Sequence, residues 1–195
     1  GYLHTRLSLL RRLFTMSTTG NTTVPPSGHH LLVELRNDGI YFASFDPLED
    51  DTYQSCSVSF TAKNRPLCEN VKNCVYENPQ LLQEYDRTYI LVDTSHFTFV
   101  PEELEKEEEN RLPYYDFCFS GHDDHVIENH LVLNHAYLLF GVEHELYTFL
   151  CRTFSNPIIL HPLASLCEYF FLHSRNGNET KAYLHLRKER VDLIV

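Results

Sequence analysis

Residues 31–45, LLVELRNDGIYFASF, decide the fold. Leu31, Val33 and Leu35 alternate along one face of a first strand, and Ile40 to Phe45 return as a second. Between them Asn37-Asp38-Gly39 carries hairpin chemistry, with the Asp-Gly pair expected to supply the positive φ angles of a tight turn. Asp46-Pro47 ends the second strand. Tyr53 to Phe60 then alternates apolar and polar side chains and predicts a third strand, completing a meander. Residues 66–84 have helical spacing, with Leu67, Val71, Cys74 and Val75 on one face and a break expected at Asn78-Pro79. The run Tyr89-Ile90-Leu91-Val92 is short and continuously apolar. It predicts a strand covered on both faces, central in its sheet and parallel to the first.

Further along, Phe97 to Val100 reads as a strand, and Pro101-Glu102-Glu103 opens an acidic helix in the way that Pro and Glu favour at a first turn. The run EELEKEEEN is read as a solvated helix face. Residues 125–133 and 136–141 form a second pair of strands, Glu143 to Thr153 a helix, Pro157 to Leu160 a short strand and Pro162 to His173 another helix. After Arg175-Asn176-Gly177-Asn178, the pattern of strand, polar turn and strand returns at Tyr183 to Val195. This order predicts an α/β lobe whose mixed sheet joins a three-strand meander to parallel strands flanked by helices, followed by the start of a second lobe. The expected organisation is a lead-in over residues 1–30, a first lobe over 31–175 and the first hairpin of a second lobe over 176–195. A chain ending on DLIV in mid-strand leaves an apolar edge without its partners, which reads as truncation.

The chain has 195 residues with 16 basic and 27 acidic side chains, a formal charge of −11, and 43% of its residues are hydrophobic. That composition is globular, and 195 residues can bury a core without staples. An acidic chain lacks the clustered Lys and Arg that release counterions from phosphates, so no nucleic-acid partner is expected. No apolar run is long enough to span a bilayer, no membrane association is expected, and the localisation read from these features is cytoplasmic. The six cysteines form no CxxC pair and sit mostly in apolar stretches, as reduced core thiols would. The only methionine is Met16. Residues 1–15, with Arg6, Arg11, Arg12 and no acid, read either as a basic amphipathic helix or as translated sequence upstream of a start at Met16, and we take the second reading.

Four segments in order carry a family resemblance: NDGIYFASFDP, YILVDTSHFTFVPEEL, LLFGVEHELYTFL, and HPLASLCEYFFLHSRNGN leading into AYLHLRKERVDLIV. Together they resemble an uncharacterised domain-of-unknown-function family of Bacteroides-group bacteria (DUF3822-like), placed in the actin-like ATPase superfamily with its ribonuclease-H-like lobes. The resemblance runs from about Leu31 to Val195. It implies a fold of two lobes, of which this chain carries the first, and it assigns no function.

Members of that superfamily hold ATP and Mg²⁺ between the lobes, with backbone amides of each first hairpin around the phosphates. The resemblance would place Asn37, Asp38 and Gly39 in such a cradle and Asp93, at the carboxyl end of the central strand, beside the metal. The usual Asp-x-Gly followed by a small hydroxyl residue is missing here. The strand instead ends Arg36-Asn37-Asp38-Gly39-Ile40, and the second hairpin, Leu186 to Arg190, has no glycine. Asp38-Gly39 therefore reads as a turn, and Asp93, beside Thr94 and Ser95, as a turn or capping residue. The expectation is a non-catalytic scaffold without a cofactor that binds a protein partner. Its alternative is an ATP-binding protein, an ATPase-like phosphohydrolase, whose cleft the absent second lobe completes. A metal-dependent hydrolase built on His122, Asp124 and His125 is the third reading, since Gly121-His122-Asp123-Asp124-His125 is the densest group of ligand-type side chains. No nucleophile motif or Walker-type loop occurs.

Overall fold

A computed structural model describes residues 28–62, 64–104, 111–174, 182–186 and 191–194. The opening hairpin is β1 (His30–Arg36) and β2 (Gly39–Phe45), antiparallel with Arg36 opposite Gly39, and β3 (Gln54–Ser59) completes the meander against β2. Helix α1 (Leu67–Glu77) stops at Asn78, whose backbone N–H and side-chain amide bond Val75 and Cys74 carbonyls, and Pro79 then starts a 3-10 turn. This is the break the Asn-Pro pair predicts. The crossover returns the chain to β4 (Arg87–Val92), which lies parallel to β1 with Val33 opposite Ile90. β4 buries Ile90 and Val92 on one face and Tyr89 and Leu91 on the other, so it is covered on both sides, as its unbroken apolar run requires.

The next strand of this sheet comes only after a long excursion. β5 (Phe97–Pro101), α2 (Leu112–Cys118), β6 (Asp124–Leu131) and β7 (Ala136–Glu143) build a separate antiparallel sheet in the order β5-β7-β6. Helix α3 (His144–Thr153) follows, then β8 (Ile158–Leu160), parallel to β4, and α4 (Pro162–Ser174). The main sheet thus runs β3-β2-β1-β4-β8, a meander extended by two parallel strands. The second sheet sends Leu138, Phe140 and Val142 into the main core, while Tyr115 of α2 covers its other face against Val100 and Leu139. Strands β9 (Tyr183–Leu186) and β10 (Val191–Ile194) form an antiparallel pair, and Tyr183 stacks on Phe170 of α4 at 4.2 Å.

Two expectations are corrected, for the acidic helix and for the cysteines, and between Leu112 and Cys118 a helix forms where none was predicted. The acidic helix after Pro101 is, within the described residues, a 3-10 turn at Glu102–Leu104, and residues 105–110 lie outside them. The aromatic run Leu112 to Phe117 is itself a helix, started by Pro113 in its first turn, where a missing N–H costs nothing. The cysteines divide: Cys68, Cys74 and Cys167 are buried, Cys56 is half-buried, and Cys118 and Cys151 are exposed. All six are free thiols, and burial pushes Cys74 up to about 11. Among the described residues no helix is long and apolar enough to cross a membrane.

Candidate functional site

In an open sheet with parallel strands, chemistry collects beyond their carboxyl ends. Here those are the ends of β1, β4 and β8, and the register sets Leu35 opposite Val92 and Leu91 opposite Leu160. The Asn37-Asp38 turn, the segment Asp93 to His96 and His161 therefore occupy one end of the sheet. Asp93 is half-buried at the mouth of β4, while Asn37 and Asp38 are exposed.

The turn does not form as expected. None of Asn37, Asp38 and Gly39 has a positive φ. Gly39 is glycine for another reason: a Cβ there would overlap the carbonyl oxygen of Val58 and lie 3.0 Å from the Cα of Ser59, so β3 closes against the side a larger residue would need. The Asp38 carbonyl accepts the N–H of Phe60 at 2.9 Å, which ties the turn to the end of β3. Arg36 pairs with Glu34 at 2.7 Å and lies over Tyr41, its guanidinium held charged chiefly by that carboxylate.

His161 is fully buried, and its polar atoms are satisfied. Its Nε2 donates to the Thr94 carbonyl at 3.0 Å, its Nδ1 accepts the N–H of Leu163 at 3.2 Å in the first turn of α4, and its own N–H donates to Asn129 Oδ1 at 2.9 Å. Asn129 in turn donates to the Ile159 carbonyl at 3.1 Å. One imidazole and one amide thus join the ends of β4 and β8, the start of α4 and strand β6. Neither residue has a partner visible in the sequence.

Two residues beyond Thr94, His96 begins a second network. Its Nδ1 lies 3.1 Å from Asp124 Oδ2, which also accepts the hydroxyl of the buried Tyr115 at 3.1 Å. Burial, with Asp124 beside it, pushes the Tyr115 hydroxyl pKa far up, so it stays a donor. Gly141 makes the room, since a Cβ there would overlap the Tyr115 hydroxyl and come within 2.8 Å of Asp124 Cβ. The His96 ring stacks on Phe119 at 5.0 Å. The GHDDH segment is thereby pulled apart: His122 turns to Asp116 at 2.8 Å, Asp124 to Tyr115 and His96, and His125 stacks on Tyr147 at 3.5 Å. Among the described residues no three His, Cys, Asp or Glu side chains are grouped as a metal site. The metal-hydrolase triad of His122, Asp124 and His125 is not assembled. Sequence reasoning missed His96, Tyr115 and Asn129, and the only available signal was His96 three residues after Asp93.

Two further features lie elsewhere. At the tip of the second sheet Glu102 bridges His130 and His135, and these contacts, His130 first, hold its carboxyl below its usual range. On the helical side an open groove of about 1000 Å³ runs between α1 and α3 and reaches the ends of β6 and β7 at Asp124 and Glu143.

The chain is similar to a solved structure from Bacteroides thetaiotaomicron VPI-5482, described as a protein with actin-like ATPase fold and unknown function. The two are 29% identical and superpose with a TM-score of 0.78 over 89% of this chain and 68% of that one. The fold is therefore that of an actin-like ATPase lobe. No curated protein matches. Residues 19–195 match the family described as Protein of unknown function (DUF3822), and the chain belongs to that family.

Proposed function

We propose that this protein works as a non-catalytic scaffold that keeps the actin-like fold and binds another protein. The observation that supports this reading is the β1–β2 turn. Where a phosphate cradle needs glycine's open side, Gly39 is closed off by the β3 backbone. Phosphate oxygens need several converging N–H groups in a nest or at a helix terminus. The filled side of Gly39 speaks against that geometry at this turn.

One observation favours the alternative, an ATP-binding protein whose cleft a second lobe completes. Asp93 stands at the carboxyl end of β4, at the same end of the sheet as the β1–β2 turn. The discriminating experiment is a calorimetric titration of Mg·ATP, and separately ADP, into the full-length protein. The scaffold reading expects no heat and no rise in melting temperature at millimolar nucleotide, since a ligand bound only by the folded state must raise it. Micromolar binding that Asp93→Ala abolishes would establish the alternative.

A further inference from the structure

We infer that strand β3, the edge of the main sheet, pairs antiparallel with β3 of a second copy of this chain, joining two sheets into one across a two-fold axis at Ser57. The inference goes beyond the scaffold reading and does not depend on it.

β3 ends the order β3-β2-β1-β4-β8, and its side away from β2 has no strand among the described residues. Edges of this kind are normally guarded by charge, proline or brevity. The other edges of the two larger sheets follow that rule: β8 has three residues, β5 ends on Pro101, and β6 carries Asp124, His125, Glu128 and His130. β3 does not. Its six residues, QSCSVS, are all uncharged and none is proline.

The register fixes which backbone groups are open. Hydrogen-bonded and non-bonded positions alternate along an antiparallel pair. Phe60 donates its N–H to the Asp38 carbonyl opposite it, so Val58, Cys56 and Gln54 turn their backbone groups to β2, and Ser59, Ser57 and Ser55 turn theirs away. Ser57 and Ser59 are exposed.

That row is complementary to itself. With Ser57 opposite Ser57 of the second copy, Ser55 falls opposite Ser59, and each outward N–H meets an outward carbonyl. In the same register Cys56 and Val58, both half-buried against the main core, meet as cross-strand apolar pairs. The Ser55 hydroxyl is buried and has no hydrogen-bond partner among the described residues. Ser59 of the second copy brings a hydroxyl directly across from it, which an arbitrary strand does not. The ends agree in sign as well: Asp50 and Asp51 precede β3, and Lys63 and Arg65 follow it, so antiparallel copies run acid toward base where parallel copies set like charges together. Arg65 also meets Glu69 at 3.4 Å, and this match is secondary to the backbone register. The formal charge of −11 opposes association, but β3 carries none of it, and exposed charges more than about 8 Å apart are largely screened at physiological salt.

Light scattering during gel filtration of the full-length protein tests the pairing, with a dimer expected that dissociates on dilution below the order of 10 μM. Ser57→Pro removes an outward N–H and leaves the bonds to β2 intact, as edge strands tolerate, and it should raise the dimer dissociation constant about tenfold or more. Ser57→Lys sets two ammonium groups opposite each other at the axis and should do the same, which keeps the test decisive where the proline variant fails to fold. Ser57→Thr, a good strand former, should leave the constant within about threefold. Ser57→Cys reports the axis itself. Only position 57 faces its own copy, so this variant should oxidise to a covalent dimer beyond what the exposed Cys118 and Cys151 of the parent give, and Ser59→Cys, opposite Ser55, should not. A monomer at every concentration, a dimer that Ser57→Pro and Ser57→Lys leave unchanged, or equal cross-linking through positions 57 and 59 each overturns the inference.

Discussion

At Gly39 a single missing side chain has two possible uses, and they predict opposite results. A glycine reserved for phosphate approach has open space on its Cα, and alanine there would harm ligand binding but not folding. Gly39 instead has the Val58 carbonyl and Ser59 Cα against it. Gly39→Ala should therefore destabilise the protein by about 1–3 kcal/mol, the usual cost of forcing a methyl group into a filled space. The midpoint of urea denaturation measures this directly. An unchanged midpoint would mean that β3 stands away from this position and that the glycine is available to a ligand. The Asp-Gly dipeptide was thus legible as a hairpin but not for its reason, because the close approach of β3 depends on strand pairing some twenty residues downstream, which local turn chemistry does not encode.

The elements divide by how local their causes are. The meander, the break at Asn78-Pro79 and the two-faced burial of β4 follow from alternation, proline and an unbroken apolar run, and each is readable in sequence. The separate sheet β5-β7-β6 is not, because Phe97 to Val100 carries no mark of which strand it pairs with, and its partner β7 lies about forty residues away. The polar pins that hold this excursion to the main sheet are equally invisible, since Asn129 and His161 look like ordinary polar residues until the fold brings them together. Asn129 reaches both the Ile159 carbonyl and the His161 N–H. Both groups belong to the segment where β8 passes into α4, so Asn129→Ala leaves a buried donor and a buried acceptor unpaired, at a cost of about 1–3 kcal/mol for each group so stranded. Hydrogen exchange should show that loss concentrated in β8 and the first turn of α4. Uniform loss across the chain would mean that Asn129 supports the core generally and does not pin this junction.

Across the whole molecule, twelve histidines in an acidic chain make stability depend on pH in two opposing ways. Lowering the pH reduces the self-repulsion of a net negative protein and favours the compact state. Against this stand two imidazoles whose folded forms resist protonation. His30, packed against Phe45 and Tyr89, is pushed below its ordinary value of 6.5 by burial first and by Arg87 second. His125, stacked on Tyr147, is lowered by burial and then by His144. Each folded value lies below the unfolded one, so the unfolded chain takes up protons first as the pH falls. The contribution of each histidine is intact above 6.5 and is lost progressively between that value and its lower folded value. Glu102 acts in the same direction but in a lower window, because its carboxyl is depressed by His130 and His135 and its contribution is lost only as the pH falls through that depressed value. The two windows can be separated by mutation. His30→Phe keeps an aromatic ring against Phe45 and Tyr89 without a titrating group, and with His125→Phe it should flatten the fall in urea midpoint just below 6.5 while leaving the more acidic fall in place. Glu102→Gln should do the reverse. If the doubly substituted protein loses stability below 6.5 as steeply as the parent, neither imidazole is the source, and the proton uptake belongs to other histidines of the acidic surface.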